Sequence, residues 1–257
     1  MYQDPEQIRR LLNAKDTVSD RAFDVWLPEN YRRISYRFWS SVGVSMRVAS
    51  WLEEAGAERV LDVGSGIGKF CVVGALGSRM AYTGVEHRPH LVALAEELAG
   101  RFGVSARVSF VTGRFDAVDF LDYDAIYLFN PFGENRFPVA EHLDSSVEVN
   151  PSRFDDEVAL IERQIERMRM GTHLVTYNGF GGCVPDNFDL VHAKITSGSL
   201  LRLWRKVRSE STGGYWLELE ESTELREAGD RVQTFAPTPD DEDALEDLER
   251  AWHALRN

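Results

Sequence analysis

The spacing of apolar residues predicts an amphipathic helix over residues 42–55. Five apolar residues recur there at intervals of about one helical turn: Val44, Val48, Trp51, Leu52 and Ala55. This spacing places them on one face of a helix. Gly56 follows directly, and glycine is the residue type that most often ends a helix. We therefore expect this helix to bury one face and to stop just before the first strand.

Beyond this helix, short apolar stretches alternate with amphipathic ones. The apolar stretches predict strands over residues 59–63, 81–86, 107–112, 124–129, 173–177, 188–195 and 200–207. Helical periodicity covers residues 69–76, 89–102 and 153–170. Such alternation is typical of an α/β fold with helices on both faces of a parallel sheet, from which the last strand pair departs. We predict a seven-stranded, mostly parallel, doubly wound sheet with a terminal antiparallel strand.

Two segments flank this predicted domain of residues 42–208. Residues 1–41 are expected to form an N-terminal helical lid, and residues 209–257 an acidic extension of one strand and one helix. The strand, over residues 214–220, is expected to join the sheet edge. The helix is expected to begin at residues 238–241, where a capping threonine precedes a proline and two acids. The apolar face of this helix is expected to pack on the main domain. A homodimer contact is the alternative.

Composition narrows the class of protein. The chain has 257 residues, 43% of them hydrophobic, which is enough to fill the core of a large α/β domain. No apolar run approaches the roughly 20 residues of a membrane span, and the polar N-terminus lacks a signal core. Cys71 and Cys183 are widely separated and have no metal-ligand pattern, as in a reduced cytoplasmic protein. We expect a cytoplasmic location and no membrane partner.

The formal net charge of −13 argues against nucleic acid as a partner, because nonspecific binding needs a basic surface. Residues 209–257 hold 14 acidic and 4 basic side chains, a net charge of −10. Five arginines form a local exception near the N-terminus: Arg21, Arg32, Arg33, Arg37 and Arg47. We interpret them as a solvated helix face. The expected substrate is a small molecule or a protein.

A glycine-rich segment, residues 64–68, follows the first predicted strand and opens a helix. Glycine allows a tight turn and close approach of a ligand to the backbone, and a helix N-terminus attracts anions. A dinucleotide fingerprint, G-x-G-x-x-G, would need its third glycine at Lys69. The sequence instead has Asp62 two residues before Gly64, and a carboxylate there would repel a pyrophosphate but accept hydrogen bonds from an ammonium group. We call residues 64–68 the glycine loop.

Glu86 ends the second predicted strand, 22 residues after Gly64. An acid at about this distance binds ribose hydroxyls in nucleotide-binding sheets. Residues 62–68, Asp-Val-Gly-Ser-Gly-Ile-Gly, and residues 84–86, Gly-Val-Glu, resemble the first and second motifs of class I (Rossmann-like) S-adenosylmethionine-dependent methyltransferases. The resemblance covers residues 40–207 in element order. It implies S-adenosylmethionine as cofactor, with Glu86 at the ribose and these residues at the methionine part: Asp62, Gly64, Ser65, Gly66 and Gly68.

The adenine contacts depart from the family pattern. In these enzymes an acid after the third strand often follows a glycine, whereas here Gly113 precedes Arg114. Asp116 is the alternative acid, and Phe115 is expected to pack on the adenine ring. His87 lies near the adenine edge or at the surface.

The fourth predicted strand ends in Asn130-Pro131-Phe132-Gly133-Glu134. This partly resembles the Asn/Asp-Pro-Pro-aromatic motif of amino methyltransferases, although the second proline is missing. The resemblance implies that Asn130 contacts cofactor and acceptor and that Phe132 packs over the acceptor. Pro131, which separates them in the sequence, belongs to the same candidate catalytic motif. A turn with Phe132 in the core is the alternative. Glu134 is a candidate base or a loop carboxylate.

Aromatic and polar residues elsewhere are further candidates. Ser40 is expected at the cofactor carboxylate, and Tyr36 and Trp39 at the substrate; packing of the N-terminal helices is the alternative. Tyr177 and Asn178 follow the fifth strand and are expected to meet the substrate, with ordinary turn chemistry as the alternative. The histidines lack ligand spacing, so no metal site is predicted.

These observations favour an enzyme that transfers a methyl group to a nitrogen or oxygen nucleophile of a small molecule or protein side chain. An aminopropyl-transferase-like enzyme on the same fold is one alternative. A noncatalytic cofactor-binding or assembly module is another, and an NAD-dependent oxidoreductase is disfavoured by Lys69.

Overall fold

The computed structural model describes residues 4–196 and 198–218. Four short helices come first: α1 (Pro5–Asn13), α2 (Asp20–Phe23), α3 (Glu29–Arg33) and α4 (Ser35–Phe38). Asp4 caps α1 through its side chain, and Pro5 occupies the first turn, where its missing N–H costs nothing. Helix α5 (Val42–Glu54) begins where Ser41 accepts a hydrogen bond from the Val44 backbone N–H at 3.1 Å.

The main domain then alternates as the sequence predicts. Its elements are β1 (Arg59–Val63), α6 (Lys69–Gly77), β2 (Ala81–Glu86), α7 (Pro89–Arg101), β3 (Val108–Thr112), β4 (Ala125–Phe129), α8 (Pro151–Arg167), β5 (His173–Tyr177), β6 (Gly182–Pro185), β7 (Phe188–Thr196), β8 (Ser199–Lys206) and β9 (Tyr215–Glu218). Short 3₁₀ turns lie between β3 and β4 and between β4 and α8. Predicted and observed boundaries of these main-sheet strands differ by one residue or less.

Seven strands form one sheet in the order β3-β2-β1-β4-β5-β8-β7. The first five pair in parallel, and β8 runs antiparallel to both of its neighbours. The predicted α/β sheet with its antiparallel strand is confirmed. The chain order reverses between β1 and β4, and ligands of such sheets bind at the carboxyl ends of the strands beside this switch point.

Hydrophobic clusters cover both faces of the sheet. One cluster joins Val60, Tyr82 and Tyr127 to α5, α6 and α7, and it also takes in Ile8, Leu12, Phe23 and Leu27 from the N-terminal helices. The other joins Leu61, Ile126 and Leu174 to α8 and to Phe180 and Val184. The N-terminal helices therefore share the core of the sheet domain.

Strand β9 corrects one expectation. The predicted strand over residues 214–220 was expected at the edge of the main sheet, but Tyr215–Glu218 pairs with β6 in a separate two-stranded sheet. The Glu218 carboxylate is fully buried and lies 2.8 Å from an Arg202 guanidinium nitrogen of β8. This ion pair fixes the small sheet to the main one. The predicted C-terminal helix and homodimer contact fall outside the described residues.

Three of the five N-terminal arginines make contacts within this segment or across the chain. The Arg32 guanidinium donates hydrogen bonds to the backbone carbonyls of Asp24 and Leu27. Arg33 pairs with Glu29, and Arg37 pairs with Glu141 across the chain. Along residues 4–196 and 198–218, no helix has both the length and the apolar character to cross a membrane.

Candidate functional site

The glycine loop adopts a backbone that needs its glycines. Gly64, Gly66 and Gly68 have φ angles of +76°, +53° and +74°, a region that residues with a side chain rarely adopt. A Cβ atom on Gly68 would lie 2.5 Å from the Phe110 ring. The Gly64 and Ser65 N–H groups both donate to the Val85 carbonyl, so the loop is fastened to β2. The buried Ser65 hydroxyl oxygen has no hydrogen-bond partner in the part of the chain that the structure describes.

Glu86, at the end of β2, connects the glycine loop to the next turn. Its carboxylate accepts a hydrogen bond from the Gly66 N–H at 3.0 Å and another from the Arg88 N–H at 2.9 Å. The side chain is only 6% exposed, and burial raises its pKa. A carboxylate held this rigidly presents its remaining lone pairs in fixed directions, as recognition of a diol requires.

Asp62 lies next to this loop on β1 and is also buried. Its carboxylate accepts a weak hydrogen bond from the Cys71 thiol at 3.4 Å. Burial, opposed by that hydrogen bond and reinforced by the charge of Glu86, raises the pKa of Asp62 to about 7. Among the described residues, no cationic side chain pairs with it. An ammonium group from a ligand would supply the missing charge.

Tyr127, in the middle of β4, is a site residue that sequence reasoning missed. It pairs in register with Asp62, and its hydroxyl lies 2.7 Å from the Ser40 hydroxyl. Burial raises its pKa far above the ordinary value, so the phenol stays neutral. Ser40, predicted at the cofactor carboxylate, is thus held by Tyr127.

Trp39 lies directly on the glycine loop. A Cβ atom on Gly66 would come within 2.1 Å of the indole ring, so the ring touches the glycine backbone. The side chain is 8% exposed, and its buried indole nitrogen has no hydrogen-bond partner among the described residues. Any ligand that binds over Gly66 must contact or displace this indole. Tyr36, the other predicted substrate residue of this segment, is 88% exposed, and its contact with the substrate stays a prediction.

Asn130 and Asn178 follow the adjacent strands β4 and β5. Both have left-handed backbones, with φ of +38° and +58°. In both, the side-chain amide oxygen is buried and has no hydrogen-bond partner within residues 4–196 and 198–218. Pro131 lies against the glycine loop, because a Cβ atom on Gly64 would contact its ring at 3.5 Å. Tyr177 is buried, its hydroxyl donates to the Thr196 carbonyl at 3.1 Å, and its ring lies 4.8 Å from that of Phe129.

Glu134 is held by an ion pair and is not a free base. Both of its oxygens accept hydrogen bonds from the buried Arg88 guanidinium at 2.9 Å, and one also accepts from the Leu143 N–H at 2.7 Å. Arg88 also donates to Asp144 at 3.2 Å. Of the two interpretations of Glu134, the structure agrees with the loop carboxylate. Its ion pair connects the segment after β4 to Arg88, which follows the end of β2.

His87 lies beside the same guanidinium. Its ring nitrogens are 3.0 Å from Arg88 and 3.5 Å from Arg153. Burial and these two positive charges lower the pKa of His87 to about 4. The imidazole is therefore neutral at pH 7 and sits between β2 and the start of α8.

The predicted adenine and acceptor aromatics are core residues. Phe115 and Phe132 are buried with ring centroids 5.4 Å apart, in the cluster that faces α8. Their burial agrees with the core alternative for Phe132, and the contacts to adenine and acceptor stay predictions. Asp116 is exposed and pairs with the neighbouring Arg114 at 3.3 Å, so it is not directed into the buried site.

Lys69, the first residue of α6, is a second feature whose role the sequence did not reveal. It is 2% exposed, and its ammonium lies 2.7 Å from both Asp20 and Asp24 and 3.1 Å from the Ser35 hydroxyl. Asp20 also accepts a hydrogen bond from the Val42 N–H at the start of α5. The residue after the glycine loop thereby holds the helices that precede Trp39 and Ser40. In the part of the chain that the structure describes, no group of His, Cys, Asp and Glu could hold a metal ion.

Two solved structures of similar architecture are O-methyltransferases by name. An O-methyltransferase from Bacillus cereus, solved with S-adenosylhomocysteine, has a TM-score of 0.52 at 13% identity, over 78% of this chain and 97% of its own. A candidate O-methyltransferase from Klebsiella pneumoniae has a TM-score of 0.51 at 15% identity, over 78% and 97%. This chain has the class I methyltransferase fold. An RNA methyltransferase from Salinibacter ruber matches at a TM-score of 0.46 and 21% identity, over 65% of this chain and 94% of its own. No protein-family model and no curated protein sequence matches the chain.

Proposed function

We propose that this protein is an S-adenosylmethionine-dependent methyltransferase that acts on a nitrogen or oxygen nucleophile of a small molecule or protein side chain. The observation that carries this proposal is the buried Asp62 carboxylate, which has a thiol donor at 3.4 Å and, among the described residues, no cation beside it. A buried carboxylate without a cation is costly. Retaining it is explained by a ligand that brings an ammonium group.

The residues of the site fit the parts of this cofactor in order. Asp62 suits the ammonium group, and the unpartnered Ser65 hydroxyl suits the carboxylate end. Glu86, connected to Gly66 by a hydrogen bond of 3.0 Å, suits the ribose hydroxyls. Trp39 lies on Gly66 and would cover the part of the ligand that binds over this glycine. When bound, the cofactor supplies the electrophilic methyl group.

The acceptor is expected at the ends of β4 and β5. The protein contributes position there, and the unpartnered amide oxygen of Asn130 is the group best placed to orient a donor hydrogen. Since Glu134 is held by Arg88, this proposal uses no carboxylate base. An aminopropyl transferase or a noncatalytic cofactor-binding module would share the cofactor contacts, and the acceptor experiments below separate them.

Replacing Glu86 tests the cofactor assignment. We expect Glu86→Gln to weaken S-adenosylhomocysteine binding by about 1–3 kcal/mol, the scale of a lost charged hydrogen-bonding partner. Isothermal titration calorimetry would measure this, with NAD as a ligand expected not to bind. Asp116→Asn is the matched control, because Asp116 is exposed and pairs with Arg114. A folded Glu86→Gln protein with unchanged affinity would contradict the ribose assignment.

Replacing Asn130 separates binding from transfer. Asn130→Gly keeps the left-handed backbone accessible and removes the amide. We expect unchanged S-adenosylhomocysteine affinity and at least about a hundredfold slower methyl transfer, the loss typical of one oriented polar group in an active site. Radiolabelled methyl transfer to metabolites and cell extract would identify a substrate for this measurement. Full turnover by the variant would show that Asn130 does not position the acceptor.

A further inference from the structure

A cavity of about 200 Å³ lies between helix α7 and the segment of residues 25–28. We call it the α7 cavity. One wall is a single face of the helix, with lining residues spaced by i, i+3, i+4 and i+7: Leu94, Glu97, Leu98 and Arg101. Ile67 of the glycine loop also lines the cavity, whereas the proposed cofactor contacts Asp62, Ser65 and Glu86 do not. The α7 cavity is therefore a second site, separate from that of the cofactor.

The walls of the α7 cavity are mostly apolar and are held in place by the core. Leu27, Ile67 and Leu98 are buried members of the hydrophobic cluster that packs on the sheet. The ring of Trp26, another lining residue, packs edge-on against Phe102 with ring centroids 6.3 Å apart. An apolar cavity of about 150 Å³ is large enough to hold benzene. A group of about that size fits between these walls.

The charged residues of the α7 cavity form an ion pair that a ligand can replace. The Arg101 guanidinium lies 2.6 Å from the Glu97 carboxylate, and their side chains are 39% and 62% exposed. Ion pairs this exposed contribute little to stability. Glu97 is the more exposed partner, so it can turn into solvent while a ligand carboxylate takes its place. A guanidinium can donate two parallel hydrogen bonds to such a carboxylate.

Trp26 strengthens the preference for a ligand that accepts hydrogen bonds. Its ring lies 6.0 Å from the Arg101 guanidinium carbon, which keeps the positive charge beside the apolar wall. The indole N–H of Trp26 is buried and has no hydrogen-bond partner within residues 4–196 and 198–218. A buried indole N–H usually has an acceptor. The unsatisfied buried group of this wall is thus a donor, as is Arg101.

We infer that the α7 cavity binds a small monocarboxylate whose apolar part is about the size of a benzene ring, with its carboxylate on Arg101. A cationic ligand would have to compete with Arg101 for Glu97. A neutral alcohol would displace Glu97 without replacing its negative charge. This inference does not depend on the proposed function.

Three probes of similar size and different charge test the inference on the full chain. The probes are phenylacetate, 2-phenylethanol and 2-phenylethylamine, and saturation-transfer NMR titrations at pH 7 would give their dissociation constants. We expect phenylacetate to bind at least tenfold more tightly than the alcohol, and the amine to bind most weakly. Saturating S-adenosylhomocysteine should not displace phenylacetate, because the two sites are separate.

Four variants locate the bound probe. Arg101→Met should remove the preference for phenylacetate over the alcohol, whereas Glu97→Gln should tighten phenylacetate binding severalfold. Leu94→Trp should fill much of the cavity and weaken all three probes, with folding checked by circular dichroism. Arg114→Met is the matched control for lost charge, because Arg114 pairs with Asp116 at 3.3 Å and does not line the cavity. It should bind phenylacetate as the unchanged protein does.

Several results would overturn the inference. One is the absence of phenylacetate binding at millimolar concentration, and another is equal binding of the alcohol, which would show an apolar cavity without carboxylate recognition. Phenylacetate binding that survives in both Arg101→Met and a folded Leu94→Trp protein would place the probe elsewhere, as would its displacement by S-adenosylhomocysteine. If S-adenosylhomocysteine itself does not bind, the proposed function fails, while the probe and variant series still decides this inference.

Discussion

Lys69→Met is expected to destabilise the folded protein by about 3 kcal/mol, because breaking a buried ion pair leaves an uncompensated charge inside the protein. Lys69 is 2% exposed, and its partner Asp24 is 6% exposed. In Lys69→Met, the Asp24 carboxylate would stay buried among α2, α4 and α6. It would lose the positive charge that Lys69 places beside it. Urea denaturation followed by circular dichroism would measure the loss of stability.

Two further variants make the Lys69 result specific. Lys15→Met removes a lysine whose partner, Glu53, lies 2.8 Å away at the surface, and such exposed pairs contribute about 0–1 kcal/mol. Adding Asp24→Asn to Lys69→Met should recover part of the loss, since the buried charge is then removed as well. Hydrogen exchange should increase over residues 20–40. If Lys69→Met and Lys15→Met cost the same, the buried network does not hold the N-terminal helices.

The fold was largely predictable because strands and helices leave local periodic signals. Residues of the buried strands are mostly apolar, and Val42–Glu54 shows a clear helical face. The exceptions are elements whose pairing is not local. The sequence of β9 is typical of an edge strand, yet β9 pairs with the four-residue β6. Strand β6 was not predicted, because it begins in a glycine-rich stretch that indicated a loop. Only the three-dimensional arrangement, with Glu218 buried against Arg202, decides which sheet it joins.

The site was predictable where its residues follow strand ends, and less so where residues distant in sequence meet. Asp62 and Glu86 lie at the ends of β1 and β2, and Asn130 directly follows β4, so their spacing indicates them as candidates. From the sequence, Lys69 was notable only because it stands where a dinucleotide motif would have its third glycine. Its partners Ser35 and Asp20 lie 34 and 49 residues away, so no local pattern indicated the buried network. Glu134 illustrates the opposite error. A carboxylate after β4 resembles a base until Arg88, 46 residues earlier, is seen to hold both oxygens.

Asp62→Asn is expected to stabilise the ligand-free protein while it weakens cofactor binding. Burial raises the pKa of Asp62 from 3.8 to about 7. The folded chain therefore holds a proton that the unfolded chain has lost, and stability falls as pH rises between these values and levels off above about pH 7. This difference in pKa between the folded and unfolded chain corresponds to at most about 4 kcal/mol in the free energy of unfolding. We expect Asp62→Asn to raise the free energy of unfolding by about 2 kcal/mol at pH 8 and by almost nothing at pH 4.

Cofactor affinity should show the opposite pH dependence through the same carboxylate. A ligand ammonium favours the ionised form of Asp62, so binding below about pH 7 must release a proton, and affinity for S-adenosylhomocysteine should rise with pH up to that value. Methylthioadenosine, which lacks the amino acid part, should bind without this pH dependence. Asp62→Asn should weaken S-adenosylhomocysteine binding by roughly a hundredfold, about 2.7 kcal/mol, and leave methylthioadenosine affinity nearly unchanged. Equal weakening of both ligands would show that Asp62 shapes the loop and does not bind the ammonium.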